Sequence, residues 1–161
     1  MRFSISDMSE GESLPLEFTH TLALSKKYGV SGDTAVLSFS GAVLHRKDYF
    51  EVTGNVMAVF ASECAKCLEL VDVSLEYPFD ERFAESLEVS GDEDAFEYFD
   101  KTLDLSQALF TTFLIELPAR VLCKDDCLGL CMKCHANLNN TACNCPPDGD
   151  DRFSILDSLN I

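Results

Sequence analysis

The residues with the clearest chemical potential are eight cysteines, which occur at two places in the 161-residue chain. Two of them form a Cys-x-x-Cys pair, and six crowd into the stretch CKDDCLGLCMKCHANLNNTACNC at residues 123–145. In chain order they are Cys64, Cys67, Cys123, Cys127, Cys131, Cys134, Cys143 and Cys145. Thiols at this density hold a metal, form disulfides or exchange electrons as thiol pairs.

Metal binding fits the spacing best, with zinc as the expected ion. Zn²⁺ accepts four thiolates in a tetrahedron, and two cysteines separated by two residues reach one ion from a single turn of chain. The eight thiols are enough for two such sites, so we predict one or two structural zinc ions. Local pairing gives a ribbon-like group in the tail, and it leaves a second group that joins the tail to the body: Cys131, Cys134, Cys143 and Cys145 in the first, and Cys64, Cys67, Cys123 and Cys127 in the second.

Other residues of the segment are interpreted around this site. Gly129 and the Asn-rich stretch at residues 137–140 tolerate the positive φ that tight metal-binding turns need. His135 directly follows Cys134, and adjacent residues seldom bind one ion together, so we interpret it as a surface residue.

Three alternatives use the same thiols differently. A redox Cys-x-x-Cys normally opens a helix, whereas the sequence after Cys67 continues as a strand. A disulfide framework would allow 105 pairings and belongs to oxidising compartments. An iron–sulfur cluster also takes four thiolates, but only Cys145-Pro146 resembles the ferredoxin spacing.

Composition sets the compartment and the class of partner that we expect. The N-terminal stretch lacks the apolar core of a signal peptide, and no run approaches the ~18 apolar residues of a membrane span, so we expect a cytoplasmic protein. The 12 Lys and Arg residues against 28 Asp and Glu give a net charge of −16. This acidity argues against nonspecific nucleic-acid binding and suits a basic protein partner.

No catalytic constellation accompanies the cysteines. The sequence contains no phosphate-binding glycine loop, nucleophile elbow or HExxH motif, and sites of four cysteines are closed and structural. We therefore predict that the protein is not an enzyme and has no small-molecule substrate.

The first half of the chain has the two-residue period of β-strands. Between residues 14 and 83, alternation marks LPLEFTHTLAL, TAVLSFSGAVL, YFEVTGNVMAVFA and LVDVSLEYPF. In the third of these, one face carries Val52, Val56, Ala58 and Phe60, while Met57 and Val59 make the opposite face apolar as well. Short polar connections favour antiparallel neighbours, and residues 85–100 are interpreted as an acidic loop to which Phe96, Tyr98 or Phe99 adds a short strand.

The period then changes to that of a helix. DLSQALFTTFLIELP offers Asp104 or Ser106 as N-cap, places apolar residues at helical spacing, and ends at Pro118. A short terminal helix is predicted from Phe153, Leu156 and Leu159.

These elements predict an α+β fold: an antiparallel, barrel-like β-sheet packed by one main helix, with a C-terminal, Cys-rich, zinc-ribbon-like segment. Residues 1–118 form the sheet body with the acidic loop and the main helix. Residues 119–161 form the zinc segment and a C-terminal helix that docks on the body.

The ordered motifs resemble those of the YceD family of large ribosomal RNA subunit accumulation proteins. The resemblance runs from about residue 35 to residue 159 and is most specific in the cysteine segment. It is carried by these stretches: VTGNV, CAKCLE, the helix that begins at DL and ends at LP, LCKDDCLGLCMKCHANLN with CNC behind it, and DDRFSILDSL. The chain departs from the family pattern at Lys66, Met132 and His135, which leaves the thiols intact.

The resemblance implies a role in the accumulation of large-subunit ribosomal RNA, during large-subunit assembly. The expected partner is then a large-subunit precursor, contacted through a basic ribosomal protein, through rRNA or through both. Arg120, Lys124, Lys133 and Lys66 lie near the cysteines, and zinc would gather them at a relatively basic end. The alternative function is that of a thiol oxidoreductase or redox-regulated zinc protein that uses Cys-x-x-Cys.

Overall fold

The computed structural model describes residues 1–24, 30–86 and 94–146. The predicted C-terminal helix and the centre of the acidic loop lie outside these residues. In chain order the elements are β1 (Arg2–Ser4), β2 (Ser13–Ala23), β3 (Thr34–His45), β4 (Tyr49–Glu63), β5 (Leu70–Ala84), β6 (Phe96–Glu97), β7 (Thr102–Asp104) and α1 (Ser106–Glu116).

The main sheet is an antiparallel meander with one parallel addition. Its strand order is β2-β3-β4-β5-β6; the first four strands are antiparallel and β6 pairs parallel to β5. The short strands β1 and β7 form a separate antiparallel pair. The antiparallel prediction is confirmed for the long strands, and the short strand expected near Phe96 is β6.

The prediction of a barrel-like sheet is wrong, because the sheet is open. β2 and β6 stand at its two edges and do not pair with each other. A barrel closes only when its two edge strands pair, and the two-residue β6 is too short to pair along the 11-residue β2. Helix α1 covers the inner face instead.

Strand β4 shows the predicted division between two faces. Val52, Val56, Ala58 and Phe60 are buried, while Met57 on the opposite face is 48% exposed. The strand is central, between β3 and β5. Its outer face nevertheless remains open among the described residues.

Two glycines allow the central strands to approach closely. Gly41 on β3 and Gly54 on β4 are register partners. A Cβ atom on Gly54 would lie 2.5 Å from the carbonyl oxygen of Ser40 and 2.7 Å from Gly41 Cα. The ring of Phe39 covers both glycines, so neither position has room for a side chain.

Helix α1 begins at Ser106 and ends at Glu116, one residue before Leu117 turns to extended backbone ahead of Pro118. The predicted stop at the proline is confirmed. The N-cap prediction is wrong in position: Leu105 is the cap residue, and Asp104 Oδ1 accepts a hydrogen bond from the Ser106 N–H at 3.0 Å.

The helix packs through one apolar side on the inner face of the sheet. Leu105, Leu109 and Phe113 are fully buried, and the Phe113 ring meets the Phe60 ring edge to face at 5.4 Å. Thr112 Oγ1 donates to Glu81 Oε1 at 2.9 Å. This packing fixes the end of α1, from which the cysteine segment departs.

Candidate metal centre

The structure gathers the eight cysteines into two groups of four, and the sulfur atoms of each group lie within 4.8 Å of one another. The inner tetrad consists of Cys64, Cys67, Cys123 and Cys127. The outer tetrad consists of Cys131, Cys134, Cys143 and Cys145. This grouping agrees with the two-site partition that local pairing favours.

The inner sulfur separations suit a tetrahedral metal. Cys64 Sγ lies 3.7 Å from Cys127 Sγ, and Cys67 Sγ lies 3.6 Å from Cys123 Sγ. Four sulfurs that each lie ~2.3 Å from a central zinc ion are ~3.8 Å apart. A disulfide needs ~2.05 Å, and all eight thiols are free.

The inner tetrad connects the sheet body to the segment after the helix. Cys64 and Cys67 lie in the connection from β4 to β5, and they are buried together with Cys127. The Ala65 N–H donates to the Val121 carbonyl at 2.8 Å, and the Leu130 N–H donates to the Lys66 carbonyl at 3.1 Å. Backbone hydrogen bonds therefore hold the two distant parts of the inner tetrad together.

The two Cys-x-Lys-Cys stretches fold into the same turn, which we call the knuckle. In the inner knuckle, the Cys64 N–H donates to the Glu69 carbonyl and the Leu68 N–H donates to the Cys64 carbonyl. In the outer knuckle, the Cys131 N–H donates to the Ala136 carbonyl and the His135 N–H donates to the Cys131 carbonyl. The chain thus contains a short structural repeat that the sequence analysis did not identify, although CAKC and CMKC carry its signal.

Each knuckle places the residue after its second cysteine in the left-handed region. These residues are Leu68, with φ of 61°, and His135, with φ of 56°. Gly129 also has a positive φ, as predicted. The expectation that residues 137–140 supply positive φ is wrong, because none of them has a positive φ. Their side chains shape the loop instead.

Those asparagine side chains form a hydrogen-bonded link between the two tetrads. Asn139 Nδ2 donates to Cys127 Sγ at 3.3 Å, and Asn137 Nδ2 donates to Glu69 Oε1 at 2.9 Å. Asn140 Nδ2 also donates to Glu69 Oε1, at 3.2 Å. The ligand-supporting roles of Asn139 and Glu69 carry no signal in the sequence, because neither residue type indicates such a role without the fold.

The outer tetrad is more open than the inner one. Cys143 Sγ lies 3.4 Å from both Cys131 Sγ and Cys134 Sγ, and Cys134 is exposed. The Cys145 N–H donates to Cys143 Sγ at 3.3 Å. This tetrad has the donor set and spacing for the same kind of metal, with less protein around it.

The electrostatics of the inner tetrad favour a bound cation. Burial opposes ionisation of Cys64, yet backbone hydrogen bonds from Lys66, Cys123 and Cys67 lower its pKa to about 6. Burial and the neighbouring Cys127, Cys67 and Cys64 thiols raise the pKa of Cys123 to about 12. One thiolate is thus preformed while Cys123 and Cys67, whose pKa is also raised, resist ionisation, and a divalent cation removes that conflict.

The outer tetrad repeats this division. Backbone hydrogen bonds from Cys134 and Lys133 lower the pKa of Cys131 to about 6. The neighbouring Cys143 and Cys134 thiols raise the pKa of Cys145 to about 12. Backbone amides within each knuckle therefore stabilise its first cysteine as a thiolate.

In proteins, a metal held by four cysteine sulfurs has no open coordination position for a substrate. Comparison with known proteins identifies the family to which the chain belongs. The family model for "Large ribosomal RNA subunit accumulation protein YceD" matches residues 52–160, a range that contains all eight cysteines. The chain belongs to the YceD family.

Relatives of the YceD chain occur in bacteria and plants. An uncharacterized protein of Mycobacterium leprae is 36% identical over 91 residues, which are 54% of this chain and 42% of that protein. A protein of Mycobacterium tuberculosis is 34% identical over 87 residues, with the same 42% coverage of its length. The chain therefore spans less than half the length of these curated relatives.

A plant relative carries a descriptive name. The Zea mays "Large ribosomal RNA subunit accumulation protein YCED homolog 1, chloroplastic" is 36% identical over 58 residues, which are 35% of this chain and 20% of that protein. No solved structure matches the chain. Among the described residues, no helix has the length and apolar character needed to cross a membrane.

Proposed function

We propose that this YceD protein binds two structural zinc ions and supports large-subunit ribosomal RNA accumulation without catalysing a reaction. The observation that carries the proposal is the closure of each tetrad by four sulfur donors. Sulfur-only sites suit zinc and give it a role in holding chain segments together. The family supplies the ribosomal context.

The inner zinc ion would act as a clamp between body and tail. It joins the β4–β5 connection to residues 123–127, far apart in sequence. The outer zinc ion would shape residues 131–145, which contact the body through the asparagine link. Zinc binding therefore defines the surface that the tail presents to a partner.

The outer face of the sheet supports a basic ribosomal protein of the large-subunit precursor as the partner. Asp72, Glu76 and Asp80 are exposed at every fourth position of β5, on one face of the strand. Beside this acidic row, exposed Met57 and Val59 are register partners of Glu76 and Ser74. An acidic and apolar face complements a basic amphipathic segment.

Direct contact with rRNA is less well supported. The expected basic end would need free cations near the tetrads, but Lys66 Nζ donates to the Cys127 carbonyl at 3.0 Å. Lys124 Nζ lies 3.9 Å from Asp126 Oδ1. A zinc ion with four thiolates also carries a net negative charge, which weakens attraction to phosphates.

A complementation experiment tests the proposal. In cells that lack the native protein, the wild-type chain restores the ratio of large-subunit to small-subunit rRNA and sediments with large-subunit precursors. We expect the Cys131→Ser, Cys134→Ser double variant to lose both activities. The control Asn144→Ser changes an exposed residue between two ligands and should behave as wild type. Full complementation by the cysteine variant, or absence of the wild type from all precursor fractions, contradicts the proposal.

Exposure of the outer tetrad favours a second candidate, a redox-regulated zinc protein. Cys134 is accessible to oxidants, whereas Cys64 is fully buried. Zinc release by mild peroxide, reversed by a thiol reductant, supports this candidate. Catalytic turnover in insulin reduction by the metal-free chain supports the oxidoreductase version and counts against a purely structural role.

A further inference from the structure

The loop between Cys134 and Cys143 belongs to the outer tetrad in sequence but contacts the inner tetrad in space. Asn139 lies within this loop, and its side-chain amide donates a hydrogen bond to the sulfur of Cys127, an inner ligand. The inner tetrad therefore receives one of its supporting hydrogen bonds from a segment whose two ends are outer ligands.

The orientation of the Asn139 amide is fixed by its other partners. The Leu128 N–H donates to Asn139 Oδ1 at 2.9 Å, which identifies the oxygen end of the side chain. Asn137 Oδ1 accepts hydrogen bonds from both the backbone N–H and Nδ2 of Asn139, each at 2.9 Å. The donor end of the amide must therefore face Cys127.

The loop is also attached to the inner knuckle on its other side. Glu69, two residues after the ligand Cys67, accepts hydrogen bonds from the side-chain amides of Asn137 and Asn140. The Leu138 N–H donates to the Gly129 carbonyl at 2.9 Å, close to the inner ligand Cys127. The loop thus rests on both cysteine pairs of the inner tetrad.

We propose that Asn139 is a positioning residue for the inner metal, and that through it a metal in the outer tetrad raises the affinity of the inner tetrad. Filling the outer tetrad holds both ends of the eight-residue loop, which removes much of the entropy cost of placing Asn139. A hydrogen bond to a ligand sulfur stabilises the thiolate in the metal-bound form. By linkage, the inner metal raises outer affinity by the same factor. The inference rests on the metal binding proposed above.

A double-mutant cycle on the full chain measures this coupling. The four proteins are wild type, Asn139→Ala, the outer-site variant Cys134→Ser with Cys143→Ser, and the combination of all three substitutions. Each is titrated with ¹¹³Cd²⁺ against a competing chelator under reducing conditions. The inner ¹¹³Cd NMR signal, identified as the one that survives in the outer-site variant, reports inner-site affinity.

We expect each alteration alone to weaken the inner site by ~10–100-fold, the range for loss of a supporting hydrogen bond. In the Asn139→Ala background, loss of the outer site should weaken it no further. Equal inner-site affinity in the wild type and the outer-site variant overturns the inference and leaves metal binding intact. The inference is also overturned if the losses of affinity from Asn139→Ala and from the outer-site variant multiply in the combined protein, because the two changes then act independently. Absence of any bound cadmium or zinc overturns both the inference and the proposed function.

Two further variants separate the role of the amide from general loop stability. Asn139→Asp keeps the acceptor for the Leu128 N–H but faces Cys127 with an oxygen in place of a donor, so we expect a loss at least as large as for alanine. Asn140→Ala removes an amide of the same loop that contacts Glu69 and not a sulfur, and it should cost several-fold less. Far-UV circular dichroism checks that each variant folds. Equal effects of Asn139→Asp and Asn140→Ala overturn the inference.

Discussion

The most informative single substitution is Cys127→Ser in the inner tetrad. Cys127 is 3% exposed, and its sulfur lies 3.7 Å from that of Cys64. A serine hydroxyl has nearly the same shape as the thiol but does not ionise near neutral pH, so it cannot replace the thiolate ligand. We expect the variant to bind the inner zinc ion through three thiolates, more weakly than the wild type, and to be less stable.

The size of the effect follows from the number of ligands. Structural zinc contributes an apparent ~10–16 kcal/mol in small domains, so each of four thiolates carries ~3 kcal/mol. For a chain of this length, 1 kcal/mol shifts the melting temperature by ~2–4 °C. The Cys127→Ser variant should therefore melt ~6–12 °C below the wild type.

Differential scanning calorimetry with and without EDTA measures this effect. EDTA should lower the melting temperature of the wild type more than that of the variant, in which the inner ion already contributes less. The matched control is Cys134→Ser, which removes an exposed ligand of the outer tetrad and should destabilise the body less. A Cys127→Ser protein that melts with the wild type and retains two zinc ions would refute the assignment of the inner tetrad.

Three further predictions follow from the geometry. Because the pKa of Cys123 is raised to about 12 and that of Cys67 is also raised, inner-site zinc binding at pH 7 displaces at least two protons. The affinity should therefore rise at least ~100-fold from pH 7 to 8, measured by calorimetry in buffers of different ionisation enthalpy. Below pH 6, protonation of Cys64 should make the fall steeper, and an affinity independent of pH would contradict this scheme. His135→Gly relieves a positive φ and should tighten the outer site ~5-fold by chelator competition, whereas weaker binding would show that the side chain contributes. Gly54→Ala forces a Cβ against Ser40 and Gly41 and should cost ~1–3 kcal/mol in urea unfolding; unchanged stability would show that the strands separate easily.

The cysteine grouping could be predicted because the relevant information is local. Two cysteines separated by two residues can reach one ion whatever the fold around them, and the shortage of local partners for Cys123 and Cys127 pointed upstream to Cys64. The alternating strands and the stop at Pro118 were also local signals. Each depends on a period or on a steric rule that neighbouring residues determine.

Sheet closure and the asparagine link could not be predicted in the same way. Whether a sheet closes depends on how the edge strands β2 and β6 lie in space, which alternation within one strand does not report. The Asn139 contact with Cys127 requires the outer loop to fold over the inner knuckle. An asparagine-rich stretch reads equally well as a turn, so its side-chain partners become visible only in three dimensions.

Metal stoichiometry tests the central claim most directly. Native mass spectrometry of the full chain, purified under reducing conditions without added metal, should show two zinc ions bound to eight reduced cysteines. Removal of both ions by a chelator should lower the mass by two zinc ions, offset only by the protons regained at the thiols. A chain that carries one zinc ion or none, or a mass lowered by disulfide formation, would contradict the two-tetrad account.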